Sequence, residues 1–205
     1  MFTRTERLVR WIVRRLVRTL YRVRTRGLDA VPAEGAALIV ANHVSYVDAL
    51  ILGALCERPV RFVVYHRIHD WWPLRWFFEL CGAIPIASRR EDPERLARAM
   101  EKIDAYLAAG EVVGLFPEGK LTRDGALCEF KPGVERVLAR RPVPVVPVAL
   151  KGLWGSVFSY AHGKPLGQLP RRFWSRIEVV AGDAVPPARV DAEALRERIA
   201  TLIAA

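Results

Sequence analysis

Six short apolar runs punctuate the chain: AALIVA at 36–41, VRFVVY at 60–65, AIPI at 83–86, EVVGLF at 111–116, VPVVPVAL at 143–150 and RIEVV at 176–180. Short runs of this kind, bounded by polar residues, read as strands buried on both faces. Between them, residues 46–57, 71–80, 93–109, 132–140 and 192–203 have the spacing of helices. Asp92 followed by Pro93 is a cap and a favoured first helical residue, and Gly110 closes that helix. Such alternation predicts a single-domain α/β fold, a mixed and mostly parallel sheet flanked by helices on both faces. Pro144 and Pro147 cannot donate to a ladder, so the strand at 143–150 is expected to be bulged or partly at an edge.

The first 26 residues follow other periods. On a helical wheel, residues 4–20 place Leu8, Val9, Ile12, Val13, Leu16, Val17 and Leu20 on one half and Arg4, Arg7, Arg10, Arg14, Arg15 and Arg18 on the other, with Trp11 among the arginines. At residues 21–26 the arginines alternate with strand-favouring residues, the pattern of a half-exposed edge strand that ends at Gly27. The division expected is an amphipathic helix over 1–20 and a domain over 21–205.

Charge gives the first helix a partner. Nine arginines against the single acid Glu6 leave residues 1–26 with +8 of the chain's +10. An apolar face opposite an arginine face suits the headgroup layer of an anionic bilayer, each basic residue near that surface contributing about 1 kcal/mol. Trp11, Arg14 and Arg15 are the candidate contacts. An ordinary packed helix with a solvated arginine face is the competing reading. Arginines interrupt any signal-peptide core, the segment lacks the serines of a transit peptide, and no reader motif points to nucleic acid. The stretch 71–80 is apolar nearly all round, and its Trp71, Trp72 and Trp76 are candidates for lipid contact, against deep burial.

Composition narrows the setting. The chain has 205 residues, 52% of them hydrophobic, yet no apolar stretch approaches the ~18 residues of a spanning helix. Cys56, Cys81 and Cys128 form no C-x-x-C pair, which argues against a disulfide framework or a thiolate metal site. A peripheral protein on the cytoplasmic face of the cell membrane fits best.

The chemistry concentrates in NHVSYVD at 42–48, directly behind the first apolar run. His43 stands where a strand ends and a helix begins, and Asp48 is near enough to hold one imidazole nitrogen while the other accepts a proton. Alternatively, Ser45 and Asp48 spell a helix cap beside an incidental histidine. Glu118 follows another strand, at the same rim if the strands are parallel. Lys120, Arg123 and Lys131 lie in a long loop bounded by glycines where an anion could bind, and Arg89 with Arg90 could join them. His66-x-x-His69-Asp70 has metal-like spacing in a strand-to-helix loop but lacks a convincing further ligand, so no metal is expected. Nucleophile-elbow, phosphate-loop and dinucleotide motifs are absent.

Taken together, NHVSYVD, GAIPIASR at 82–89, FPEGKLTRDG and FKPG at 116–133, and PVAL at 147–150 resemble the four ordered blocks of the glycerolipid acyltransferases of the lysophosphatidic acid acyltransferase type. The likeness spans about Val23 to Leu150 and extends to the branch sometimes fused to lysophospholipid transporters. It implies a glycerol-3-phosphate acyltransferase-like fold, His43 as base and Asp48 as its partner. Arg89 and Glu118 would contact the polar head of the acceptor, Gly119 would shape the pocket, and Asn42, Lys131 and Gly133 would complete the substrate site. Arg123 stands two places later than the arginine of the common F-P-E-G-T-R-S block, which loosens its assignment to a phosphate. The substrates implied are acyl-CoA or acyl carrier protein as donor and a lysophospholipid as acceptor, with no cofactor. An acyl thioester is already activated, so a base suffices without a protein nucleophile. The developing oxyanion would take its donors from backbone amides of the 42–48 turn.

Overall fold

A computed structural model describes residues 4–163, 165 and 174–205 of the chain. The alternating segment forms β1 (Tyr21–Arg26), and the apolar runs become β2 (Ala37–Ala41), β3 (Val60–Tyr65), β4 (Ile84–Ile86), β5 (Val112–Leu115), β6 (Val145–Lys151) and β7 (Ser175–Ala181). They make one seven-stranded sheet in the order β1-β7-β6-β2-β5-β3-β4, with β1 at an edge as its alternation predicts. All neighbours run parallel except β6 and β7.

Period-two alternation sends side chains to two cores. Ala37, Ile39 and Ala41 of β2 join Val146, Val148, Leu150, Ile177 and Val179 on the face covered by α1 (Arg4–Leu20) and α2 (Asp48–Leu55). Leu38, Val40, Val113 and Val145 face α5 (Pro93–Ala108), α6 (Gly133–Arg140) and α7 (Ala192–Ala204). At about 1.5–3 kcal/mol for each fully buried aliphatic side chain, these two layers supply most of the drive to fold. Asp92 caps α5 by accepting from the Arg95 amide at 2.8 Å.

Three sequence expectations change here. The strand holding Pro147 is interior, between β7 and β2. Its missing donor is tolerated because the Pro147 carbonyl and ring nitrogen face the end of β7. There Gly182 donates to that carbonyl at 2.9 Å, and the next bridge joins Val145 to Val185, so the partner strand bulges by one residue. The aromatic stretch begins late. Pro73 has no N–H to continue a helix from His69, so α3 (His66–His69) is a separate turn and α4 (Trp72–Leu80) starts with proline in its first two positions. His66 and His69 thus lie on a short helix and not in a loop.

The third change concerns α1, which divides its apolar face. Val17 is buried and Val13 packs beside it against the α2 core, whereas Leu8, Ile12, Leu16 and Leu20 stay exposed. Arg10 donates to the Cys56 carbonyl at the end of α2, and Glu6 pairs with Arg61 of β3 at 2.7 Å. These contacts pack α1 against α2 and β3. Among the described residues no helix is long and apolar enough to cross a membrane.

Candidate active site

Parallel strands deliver their C-terminal ends to one rim, and β2, β5, β3, β4 and β6 all end there. His43 follows β2 by two residues and is gripped on every side. Its Nδ1 lies 2.8 Å from Asp48 Oδ2, its amide donates to Glu118 Oε1 at 2.6 Å, and its carbonyl accepts from the Thr122 amide at 3.1 Å. The ring stacks on Phe116 at 4.2 Å between centroids, and Phe116 stacks on Phe62 at 5.8 Å. Gly114 makes that column possible, because a side chain there would collide with the Phe62 ring. The His43 side chain keeps 21% exposure, and its Nε2 has no protein partner among the described residues.

Asp48 is fully buried, and its Oδ2 accepts from His43 and from the amides of Val44 and Ser45 at 2.7 and 2.8 Å. Burial pushes its carboxyl above the ordinary aspartate value, while His43 and the two amides pull it back. Ser45 does not cap α2 through its side chain; the residue before the helix is Val47, and no side chain caps it. The carboxylate instead reaches back from the first helical position, so the cap-like contact and the histidine partner are one group. This arrangement also leaves few of the expected oxyanion donors free. Amides of residues 43–48 are all committed, to Glu118, Asp48, the Phe158 carbonyl, Ser45 Oγ and the Ser45 carbonyl.

The acyltransferase family model matches residues 22–151, the segment that carries this rim. The chain belongs to this acyltransferase family. It is 31% identical over 133 residues to the chloroplastic 1-acyl-sn-glycerol-3-phosphate acyltransferase LPAT1 of Arabidopsis thaliana, covering 64% of this chain and 36% of that protein. With the lyso-ornithine lipid O-acyltransferase of Pseudomonas aeruginosa it shares 32% identity over 146 residues, 71% of this chain and 54% of the other. The chain thus spans only about a third to a half of the length of these relatives. Its fold is that of the 1-acyl-sn-glycerophosphate (LPA) acyltransferase PlsC from Thermotoga maritima, with a TM-score of 0.69 at 20% identity over 99% of this chain and 80% of that one.

The remaining expected site residues of this family member fall into distinct places. Glu118 is 1% exposed, its Oε2 accepting from the Cys128 amide at 3.0 Å, so it braces the long loop. Burial raises its carboxyl pKa. It also walls a cleft of about 250 Å³ with Lys120, Cys128, Phe130 and Lys131. Gly119 has φ +63°, a left-handed backbone conformation that explains glycine there, and the Lys131 side chain lies over it. Arg89 is exposed beyond β4, on the same rim but three strand spacings, about 14 Å, from β2. Gly133 opens α6, with open space where a side chain would go. Arg123 stands over the Tyr160 ring at 5.5 Å.

One assignment is corrected. Asn42 is buried, and its amide exchanges hydrogen bonds with Leu150 of β6 at 2.7 and 3.1 Å, so it clasps two strands and is not a substrate ligand. Arg14 is half-buried on the flank of α1 turned toward the fold, unlike exposed Trp11 and Arg15. Trp71, Trp72 and Trp76 are exposed, Trp72 at 83%. His66 Nε2 meets Glu91 at 3.2 Å, and His69 Nδ1 meets Asp70 at 2.9 Å. Sequence reasoning missed Phe116 as the shelf for His43, although Phe116 is the first residue of the FPEG block.

Proposed function

We propose that the protein moves a fatty acyl group from acyl-CoA or acyl carrier protein to the free hydroxyl of lysophosphatidic acid, giving phosphatidic acid. The observation that carries this reading is the His43–Asp48 contact with Nε2 left open. Asp48 holds the proton on Nδ1, which makes Nε2 the acceptor. Nε2 takes the hydroxyl proton as that oxygen attacks the thioester carbonyl, and the imidazolium returns it to the departing thiolate. The cleft beside Glu118, with Lys120 and Lys131 on its wall, supplies cations for a phosphate.

A second acceptor has support of its own. The relatives acting on lyso-ornithine lipid, together with the displaced Arg123, favour testing a head that carries a carboxylate. Work at a membrane surface is supported by the exposed Leu8, Trp11, Ile12 and Leu16 of α1, among arginines, and by the tryptophans of the α3–α4 turn. We assign the protein to the cytoplasmic face as a peripheral enzyme.

The test is His43→Ala in the full chain, assayed with both donor types and a panel of lysolipids, with products identified by mass spectrometry. Turnover should fall by about 10²- to 10⁴-fold, with circular dichroism and thermal midpoint retained. Turnover near the wild-type rate in that variant sinks the base assignment.

A further inference from the structure

The family resemblance gives Glu118 to the acceptor's polar head, yet its partners in the fold are backbone amides. The residue is 1% exposed, and its Oε1 accepts from the His43 amide at 2.6 Å and its Oε2 from the Cys128 amide at 3.0 Å. Both oxygens are thus engaged by main-chain donors, one of them the amide of the base itself. A carboxylate also repels the phosphate or carboxylate of an acidic head, whereas Lys120 and Lys131 on the wall of the same cleft attract it. Burial and charge both set Glu118 against direct contact with such a head.

His43 needs support, because residues 42–47 belong to neither β2 nor α2 and no regular element fixes its backbone. The segment leaving β5 supplies it at three points. Phe116 lies against the ring at 4.2 Å between centroids and 17° between planes, Glu118 holds the amide, and the Thr122 amide donates to the carbonyl at 3.1 Å. Two torsions place an imidazole, and Asp48 constrains only its Nδ1. The Phe116 face fixes the plane as well, so the two residues together aim Nε2. The turn that presents Phe116 and Glu118 is itself closed, by the Gly119 amide on the Phe116 carbonyl at 3.1 Å and the Lys131 amide on the Pro117 carbonyl at 2.9 Å.

We propose that the 116–119 turn serves the base and not the acceptor: Glu118 and Phe116 are positioning residues for His43, and Glu118 is not a ligand of the acceptor head. Glu118 sets the main chain of His43, and Phe116 sets its ring. These roles rest on the reading of His43 as the base. A base displaced by about 1 Å loses about 10²-fold in rate, while an acceptor held by other groups binds as before.

Steady-state kinetics of Glu118→Gln and Phe116→Leu in the full chain, with a thioester donor and lysophosphatidic acid or lyso-ornithine lipid, separate positioning from binding. Gln keeps one acceptor oxygen and turns an N–H toward the other amide, so one of the two bonds is lost. Each variant should lower kcat about 10- to 100-fold and leave KM for the acceptor within about threefold. Phe116→Tyr keeps the aromatic face and should recover most of the kcat lost in Phe116→Leu. Loss of a ligand gives a raised KM instead. An acceptor KM raised more than about threefold in Glu118→Gln, a kcat lowered less than about threefold in either variant, or a Tyr variant as slow as the Leu one overturns the proposal. Should Glu118→Gln not fold, the Phe116 pair decides by the same thresholds. A second measurement needs no turnover. In protein with isotope-labelled histidine, the charge-assisted bond holds the His43 amide proton downfield, and Glu118→Gln should move it upfield; an unmoved resonance also overturns the proposal. If the wild type acylates no lysolipid but the resonance moves, acyl transfer falls and the Glu118–His43 contact stands. If transfer proceeds and only KM changes in Glu118→Gln, the positioning roles fall alone.

Discussion

The Asp48 carboxylate organises the base and the backbone beneath it at once. A single oxygen holds His43 and two consecutive amides, so the turn and the imidazole are set together. Tyr46, in the same turn, titrates unlike a surface tyrosine: its bond to Tyr160, its burial and the Tyr160 charge raise its phenol pKa to about 12. The folded value lies above the unfolded one of about 10, so its stabilisation is complete below about pH 10 and is lost as pH rises through about 12. Tyr21, Tyr65 and Tyr106 are raised as well, so absorbance at 295 nm during alkaline titration should show a late phase of several tyrosines. That phase should shrink by one tyrosine in Tyr46→Phe and shift in part toward the ordinary value in Tyr160→Phe; an unchanged late phase in both refutes the pairing.

Between elements, the contacts that matter cross from one strand or helix to another. Asn42 extends the β2–β6 ladder with a side chain where the backbone of β2 has turned away toward His43. Asn42→Ala orphans a buried N–H and C=O and should lower unfolding free energy by about 2–4 kcal/mol. Urea denaturation reads this; a loss below about 0.5 kcal/mol would contradict the clasp. The column Phe62–Phe116–His43 crosses from β3 to β5 to β2 and depends on Gly114 having no side chain. None of these pairings has a local sequence signal, because each joins residues far apart in the chain.

At the scale of the whole molecule, exposed apolar side chains among the described residues gather on the outer side of α1 and at the tryptophans of the α3–α4 turn. Leu8, Ile12 and Leu16 changed together to Ser, or Trp71 and Trp72 changed to Ser, should each weaken sedimentation with anionic vesicles about tenfold or more while the fold persists. Added salt should weaken the wild-type association further, through the arginines. Vesicle binding equal to wild type in both variants excludes these surfaces.

What the sequence by itself determined was the periodic and the contiguous. Buried strands, amphipathic helices, the edge position of β1 and the five-residue step from His43 to Asp48 are local patterns that burial and chain geometry impose on their own neighbours. Tertiary structure alone decided which strand lay beside which, and hence that Pro147 sits inside the sheet, that Asn42 clasps Leu150, and that Tyr160 meets Tyr46 and Arg123. It also decided that the turn's amides are occupied and that α1 buries only one flank. Hydrogen-bond partners and packing neighbours at long sequence separation are set by the sheet order, and no period along the chain encodes that order.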